Sequence, residues 1–188
     1  MAFDQEFIGK RLETSSRVIL SLKQQADDLL EIAQAIRHCF AVGGTLYTCG
    51  NGGSAAEALH LAEELIGKYK RPREPKPAVC LNADPTALTC IANDFGFESI
   101  FARQIEALGR PNDILLCFST SGMSENLVMA LEKAGDKQVT TIGLLGKGGG
   151  TCLDLCDHAL VVASDETEAI QEAHQVILHL ILEAVETA

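Results

Sequence analysis

An α/β architecture, with helices covering a parallel sheet, is the fold class predicted for the 188-residue chain, and three observations predict it. Short apolar runs of strand length alternate with stretches of helical periodicity, and strands separated by helices pair in parallel through right-handed crossovers. The run Ile114-Leu-Leu-Cys-Phe118 is apolar at every position, as a strand buried on both faces requires. Apolar residues make up 47% of the chain and aromatics only 5%, with no Trp, which suits Ala, Leu, Ile and Val packed between helices and strands.

The elements follow in order. Residues 3 to about 40 place Phe7, Leu12, Val18, Ile19, Leu22, Leu29, Leu30, Ile32, Ile36 and Phe40 at helical spacing among charged residues, which predicts two amphipathic helices. Gly43-Gly44 breaks that pattern, and Thr45-Leu-Tyr-Thr-Cys49 is a β-type run ending in Gly50, with a helix starting near Ser54. Ala78-Val-Cys-Leu81 reads as a short strand, Thr86 to Ala92 and Ile100 to Leu108 as helices, and Ile114–Phe118 as a buried strand. Asn126 to Ala134 is helical, Val139 to Leu145 a strand, Gly146-Lys-Gly-Gly-Gly150 a turn, and Ala159-Leu-Val-Val162 a further strand. Glu168 to Val185 closes the chain as a long helix. At this length the chain fits one domain, or one domain with a helical extension.

Charge and cysteine content narrow the function classes. Twenty-six acidic residues against 15 basic give a net charge of −11, so a nucleic-acid surface, which needs concentrated Lys and Arg, is not expected. Lys68-Tyr-Lys-Arg-Pro-Arg73 is a local basic run, proline-broken and followed by Glu74, and reads first as a solvated loop, with a loop that attracts an anionic small ligand as the alternative. Seven cysteines scattered through predicted strands and helices, with no signal peptide ahead of them, point to reduced thiols in a cytosolic protein. Cys152 and Cys156 lack a second pair for a tetrahedral metal site and read as packing residues near a turn. No apolar run reaches bilayer length, so no membrane partner is expected.

Ligands of such sheets sit where strand ends turn into helices, which directs attention to two turns. Ser119-Thr-Ser-Gly-Met-Ser124 places four hydroxyls within six residues, between a buried strand and a helix. Free amides and the positive end of the helix dipole favour an anion there, and hydroxyls add donors, so the turn suits a phosphate. One serine could instead merely cap the helix. Gly50-Asn-Gly-Gly-Ser54 allows close backbone approach to a ligand, with Asn51 free to donate and accept, or is simply a tight turn. Neither has the glycine and lysine spacing of a P-loop or a dinucleotide fingerprint.

His60 and Glu64 stand at i and i+4 and project from one helix face, as two metal ligands, an acid and base, or an exposed polar pair would. On the closing helix, Gln171, Gln175 and His179 follow at successive fours, a polar stripe on an otherwise apolar helix that must face polar company. His174 lies off that stripe and receives no role.

Five segments, CGNGGSAAEALHLAEEL, IANDFGFESIFARQIEALGR, DILLCFSTSGMSENLVMALEKA, IGLLGKGGG and ETEAIQEAHQVILHLI, together resemble the phosphoheptose isomerases of the sugar isomerase (SIS) domain superfamily. The likeness runs over nearly the whole chain. It implies a three-layer αβα sandwich around a parallel sheet, with residues 1–40 a helical segment used in oligomerisation and 41–188 the SIS domain. It further implies a cytoplasmic homotetramer with active sites between subunits. The activity implied is the interconversion of sedoheptulose 7-phosphate and D-glycero-D-manno-heptose 7-phosphate, first step toward the heptoses of bacterial surface polysaccharides such as lipopolysaccharide.

By that resemblance zinc ligands fall on His60, Glu64, Gln171 and His179, with Glu64 and His179 as the catalytic base and acid. Asn51, Gly52, Gly53, Ser54, Glu64, Asn93, Asp94, Ser119, Thr120, Ser121, Ser124 and Gln171 match substrate-contacting positions, the serines taking the phosphate. The chain departs from the family in Met123, where Asn is usual, in Ala169, where Arg is common, and in a slightly long KYKRPREPKP loop. Those departures bear on substrate preference and rate. A tetrameric relative that binds the replication initiator DnaA lacks a carboxylate at the position of Glu64 and a histidine at that of His179, and this chain keeps both. An isomerase or sensor of another sugar phosphate is the remaining alternative.

Overall fold

The computed structural model describes residues 3–187. The N-terminal region forms two helices, α1 (Gln5–Ser21) and α2 (Ala26–Ala41), joined by a 3-10 turn at Leu22–Gln25. Asp4 starts α1 by accepting a hydrogen bond from the Phe7 amide, and Gly43 at φ +83° lets the chain leave α2. Five strands follow, β1 (Leu46–Gly50), β2 (Ala78–Cys80), β3 (Ile114–Ser119), β4 (Thr140–Leu145) and β5 (His158–Val161). Between and after them lie α3 (Gly53–Ile66), α4 (Pro85–Phe95), α5 (Ala102–Leu108), α6 (Glu125–Asp136), the single turn α7 (Gly150–Leu153) and α8 (Thr167–Glu186).

All strand pairs are parallel, in the order β2-β1-β3-β4-β5, so every strand ends on the same edge of the sheet. Alternate side chains of β3 enter different cores. Ile114, Leu116 and Phe118 pack with Ile32 and Ile36 of α2, Leu61 and Leu65 of α3, and Ile177 and Ile181 of α8. Leu115 and Cys117 pack with Ile105 of α5, Leu127 and Leu131 of α6, and Cys152 of α7. Two apolar layers separated by one sheet make the three-layer αβα sandwich, and they explain why β3 tolerates no polar residue before Ser119.

The elements keep the predicted order, with local adjustments. The helix expected from Thr86 starts one residue earlier, at Pro85, because Asp84 accepts hydrogen bonds from the Thr86 and Ala87 amides, and it runs on to Phe95. The segment expected to be helical from Ile100 opens instead as a 3-10 turn at Phe97–Ser99, and α5 begins at Ala102. The glycine turn after β4 continues into α7, a helix the spacing did not suggest. Helix α4 has no buried residue; Leu88, Ile91 and Ala92 only partly cover the second core.

Candidate active site

The ends of β1 and β3 and the starts of α3, α6 and α8 enclose a cavity of about 260 Å³. Asn51, Gly53, Ser54, Ser119, Thr120, Ser121, Ser124 and Gln171 line it, together with Phe118, Leu127 and Thr167. Three helix N-termini therefore meet at one space, and none of the three has a side-chain cap. Ser124 stands at the N-cap of α6 but makes no capping bond, so its hydroxyl is not consumed by helix initiation. Uncapped amides, three positive dipole ends and a ring of hydroxyls are what a dianionic phosphate requires.

The turn is braced by hydrogen bonds within itself and to the glycine turn after β4. Ser119 Oγ accepts from the Gly122 amide at 2.9 Å, and Ser121 Oγ from the Met123 amide at 3.2 Å. Gly122 adopts φ +63°, and a Cβ there would lie 1.8 Å from the Gly149 carbonyl oxygen. The Gly122 carbonyl in turn accepts from the Cys152 amide at 2.9 Å. The glycine turn after β4 thus buttresses the hydroxyl turn after β3. Met123 is exposed and its thioether accepts from Thr151, while Ala169 is fully buried in the core.

On the other wall, the Gln171 amide packs directly over Gly53, where a Cβ would come within 2.5 Å of it and push that side chain aside. Asn51 is held by Asn126 through a reciprocal amide pair, both bonds 2.9 Å. Asn126 is buried and was not marked by sequence spacing; its position in the first turn after Ser124 was the only signal.

From this cavity α3 and α8 run away together, and one to three turns along them stand the titratable side chains. His60 Nε2 and Glu64 Oε1 are 3.7 Å apart, and the His60 and His179 rings meet edge-on with centroids 5.3 Å apart. Gln175 lies between them, its amide 2.7 Å from His60 Nδ1 and 3.4 Å from His179 Nε2. The two separate sequence patterns, the i,i+4 pair and the polar stripe, therefore converge. Burial holds the His179 pKa below its ordinary value, helped by the neighbouring His60 and Lys70, while Glu64 and Glu183 pull the other way.

This group suits a divalent ion. His60, Glu63 and Glu64 each offer a donor atom within 4.8 Å of the others. Two ligands bound to one tetrahedral zinc at about 2.0–2.2 Å lie roughly 3.3–3.6 Å apart, close to the His60–Glu64 spacing. Glu63 entered through the structure. Gln171 lies against Gly53 and the cavity, whereas Gln175, one turn on, makes the contacts with both histidines.

The basic run after α3 is largely exposed, as its composition suggests, with Lys68, Lys70, Arg71 and Pro72 in solvent, but Tyr69 and Arg73 turn inward. Arg73 donates to the carbonyls of Glu64 and Leu65, capping the end of α3, and its Nε lies 3.6 Å from Glu186. Glu186 accepts from the backbone amides of Tyr69, Lys70 and Arg71. Tyr69 packs against the core and stacks on His179. An aromatic residue within a charged loop is the sequence signal of that contact.

Asn93 and Asp94, by contrast, lie exposed on α4, where Asn93 donates to Asp94, and neither lines the cavity. Beneath the sheet edge His174 and Glu57 are buried, with Nδ1 and Oε2 3.8 Å apart, and the His174 ring packs edge-on against Phe118.

The sequence matches the SIS domain family over residues 12–146. "Phosphoheptose isomerase 1" of Campylobacter jejuni is 41% identical over 179 residues, covering 95% of this chain and 96% of that protein. A phosphoheptose isomerase structure from Francisella tularensis superposes with a TM-score of 0.94 at 34% identity, covering 97% of this chain and 98% of that one. The phosphoheptose isomerase GmhA from Neisseria gonorrhoeae superposes with a TM-score of 0.92, also at 34% identity, covering 98% and 99%. With a family match over most of its length, and with near-complete alignment to these proteins in sequence and structure, the chain belongs to the phosphoheptose isomerases of the SIS domain family.

Proposed function

We propose that the protein is an aldose-ketose isomerase that converts sedoheptulose 7-phosphate to D-glycero-D-manno-heptose 7-phosphate, at the entry to heptose synthesis for bacterial surface polysaccharides such as lipopolysaccharide. One observation carries this reading. The anion cavity and the His60, Glu64, His179 group stand on the same two helices, with the cluster six to ten residues beyond Ser54 on α3. At about 1.5 Å per residue that is roughly 9–15 Å along the helix, room for a long sugar chain between its phosphate and its reacting carbons.

The chemistry follows from those side chains. Moving a carbonyl between C1 and C2 needs a base to take an α-proton and an acid to return one to the neighbouring carbon through an enediol. Glu64 takes the proton, and His179, one ring away across His60, delivers it. The hydroxyl turn, Asn51 and Gln171 hold the phosphate and sugar in place, and Tyr69 shields the imidazole. Zinc on His60, Glu64, Gln171 and His179 would polarise the carbonyl and stabilise negative charge on oxygen when bound.

Assembly as a homotetramer, with active sites between subunits, accounts for surface features that a single chain leaves open. Ile8, Leu12, Leu20 and Leu30 of the N-terminal helices are exposed, as are Phe95 and Phe97 around α4. Asn93 and Asp94 on α4 would then act in a site completed by a neighbouring subunit. Residues 1–40 serve both the first core and this assembly, and 41–188 form the catalytic SIS domain. No helix among the described residues is long and apolar enough to cross a membrane; we place the enzyme in the cytoplasm, with a net charge of −11 that gives little cationic surface for nucleic acid.

The direct test is turnover of sedoheptulose 7-phosphate by purified protein, metal-stripped and resupplied with zinc, beside a panel of other sugar phosphates. Turnover confined to the seven-carbon substrate and dependent on zinc is the expected result. Turnover of a different sugar phosphate would reassign the substrate, and none at all, with binding to the replication initiator, would favour a regulator.

A further inference from the structure

Gln175 lies within reach of both imidazoles, and the ligand set implied by the family resemblance gives it no role. A glutamine amide presents a donor at one end and an acceptor at the other, and a half-turn exchanges them with little steric change. Which end faces His60 Nδ1, 2.7 Å away, decides where the imidazole carries its proton.

The consequence falls on the other nitrogen. His60 Nε2 faces Glu64 Oε1 at 3.7 Å. A neutral imidazole has one N–H and one lone pair. With the amide nitrogen donating to Nδ1, the ring proton sits on Nε2 and points into the space shared with Glu64, so no lone pair is left there for a metal. With the amide turned over, Gln175 Oε1 accepts the Nδ1–H, and the Nε2 lone pair stands beside the carboxylate. The same oxygen is then 3.4 Å from His179 Nε2, beyond the usual hydrogen-bond range of about 2.7–3.2 Å, so it does not fix that ring. Only the second arrangement gives two donor atoms facing one ion.

We propose that Gln175 is a positioning residue of the metal site: through Oε1 it accepts the His60 Nδ1–H, fixes that tautomer and aims Nε2 at the ion shared with Glu64. The inference rests on the metal reading above. Histidine ligands generally give their second N–H to a carboxylate, carbonyl or water, and loss of that partner typically weakens metal binding about 10–100-fold. Gln175 is half-buried on a helix whose register is set by apolar neighbours such as Ile177 and Leu178, so its head group can be changed without disturbing the core.

The test is zinc affinity by chelator competition for the wild-type protein and for Gln175→Leu, Gln175→Met and Gln175→Glu, with the melting temperature of each metal-free protein as a folding control. The histidine side chains of the zinc-loaded wild type are read by nitrogen-15 NMR. Zinc affinity falls about 10–100-fold in the Leu and Met variants, returns in Gln175→Glu, whose carboxylate also accepts from Nδ1–H, and the loaded His60 carries its proton on Nδ1. Wild-type affinity in both apolar variants, or a His60 proton on Nε2 in the loaded protein, would overturn the inference while leaving the metal reading standing. A wild-type protein that takes up no zinc would overturn the metal reading and the inference with it.

Discussion

The phenol ring of Tyr69 lies nearly parallel to the imidazole of His179, with centroids 5.4 Å and planes 16° apart. That contact ties a charged surface loop to the proposed acid. The loop is held at two points, by Glu186 gathering three of its backbone amides and by Arg73 capping the carbonyl end of α3. Both ends of α3 are thus fixed, one by the cavity turn and one by this loop, and the helix presents His60 and Glu64 from between them.

Removing the ring tests that tie. Aromatic pairs contribute about 0.5–1.5 kcal/mol beyond burial, so Tyr69→Ala lowers kcat roughly 2–10-fold through a less restrained His179, while Tyr69→Phe stays near wild type. Steady-state kinetics decide the matter. An unchanged kcat in Tyr69→Ala would make the stacking incidental.

The acid and base are tested more severely. Glu64→Gln and His179→Asn keep approximate shape, remove proton transfer and weaken the zinc site, so with zinc held saturating each lowers kcat about 10²–10⁴-fold. Because the two groups act on one enediol, the double variant loses much less than the product of the single losses. Rates for the two single variants and the double variant, measured under saturating substrate, check this. Multiplicative losses would mean that the two side chains act in separate steps.

Much of the fold was legible in sequence because its signals are local. A continuous apolar run marks β3 and helical periodicity its flanking helices, and the Asp84-Pro85 pair carries the information that starts α4. The turn-to-helix segment at Gly149–Leu153 was not legible, because its shape depends on the Gly122 carbonyl of another turn, 27 residues earlier, which receives the Cys152 amide. The site shows the same division. The i,i+4 pair and the stripe were visible as patterns on single helices, but their convergence on Gln175, and the position of Tyr69 over His179, are long-range facts set by the packing of α3 against α8. The basic loop is exposed as composition implies, but composition records charge and not the acceptors that satisfy it, so the anchoring by Arg73 and Glu186 is not visible there.

The hydroxyl turn separates binding from stability. Ser124 makes no capping bond in the folded chain, so Ser124→Ala leaves the melting temperature near wild type. A hydrogen bond to a charged group is worth about 1.5–3 kcal/mol, so KM rises roughly 10-fold or more. Gly122→Ala has the opposite signature, because the new Cβ would lie 1.8 Å from the Gly149 carbonyl in a backbone at φ +63°. Strain of about 1–3 kcal/mol before any clash lowers melting by several degrees. Thermal melts alongside KM values distinguish the two. A destabilised Ser124→Ala would show that its hydroxyl serves the fold.

Glu186 gives the clamp a pH dependence of known sign. Partial burial pushes its carboxyl pKa up, but the amides of Lys70, Tyr69 and Arg71 together with the Arg73 charge outweigh this, and the result is below the ordinary value of 4.5. The folded protein thus holds the charged form more tightly than the unfolded chain does. The clamp's contribution is complete above pH 4.5 and is lost as pH falls through the lower folded value. Glu186→Gln has no charge to lose, so the melting-temperature gap between wild type and this variant stays constant from pH 7 to about pH 5.5 and narrows below the ordinary carboxylate range. Melting curves from pH 7 to about pH 3.5 would show the convergence, and a gap that held its full size at the acid end would mean that the loop is anchored by Arg73 and Tyr69 rather than by the carboxylate.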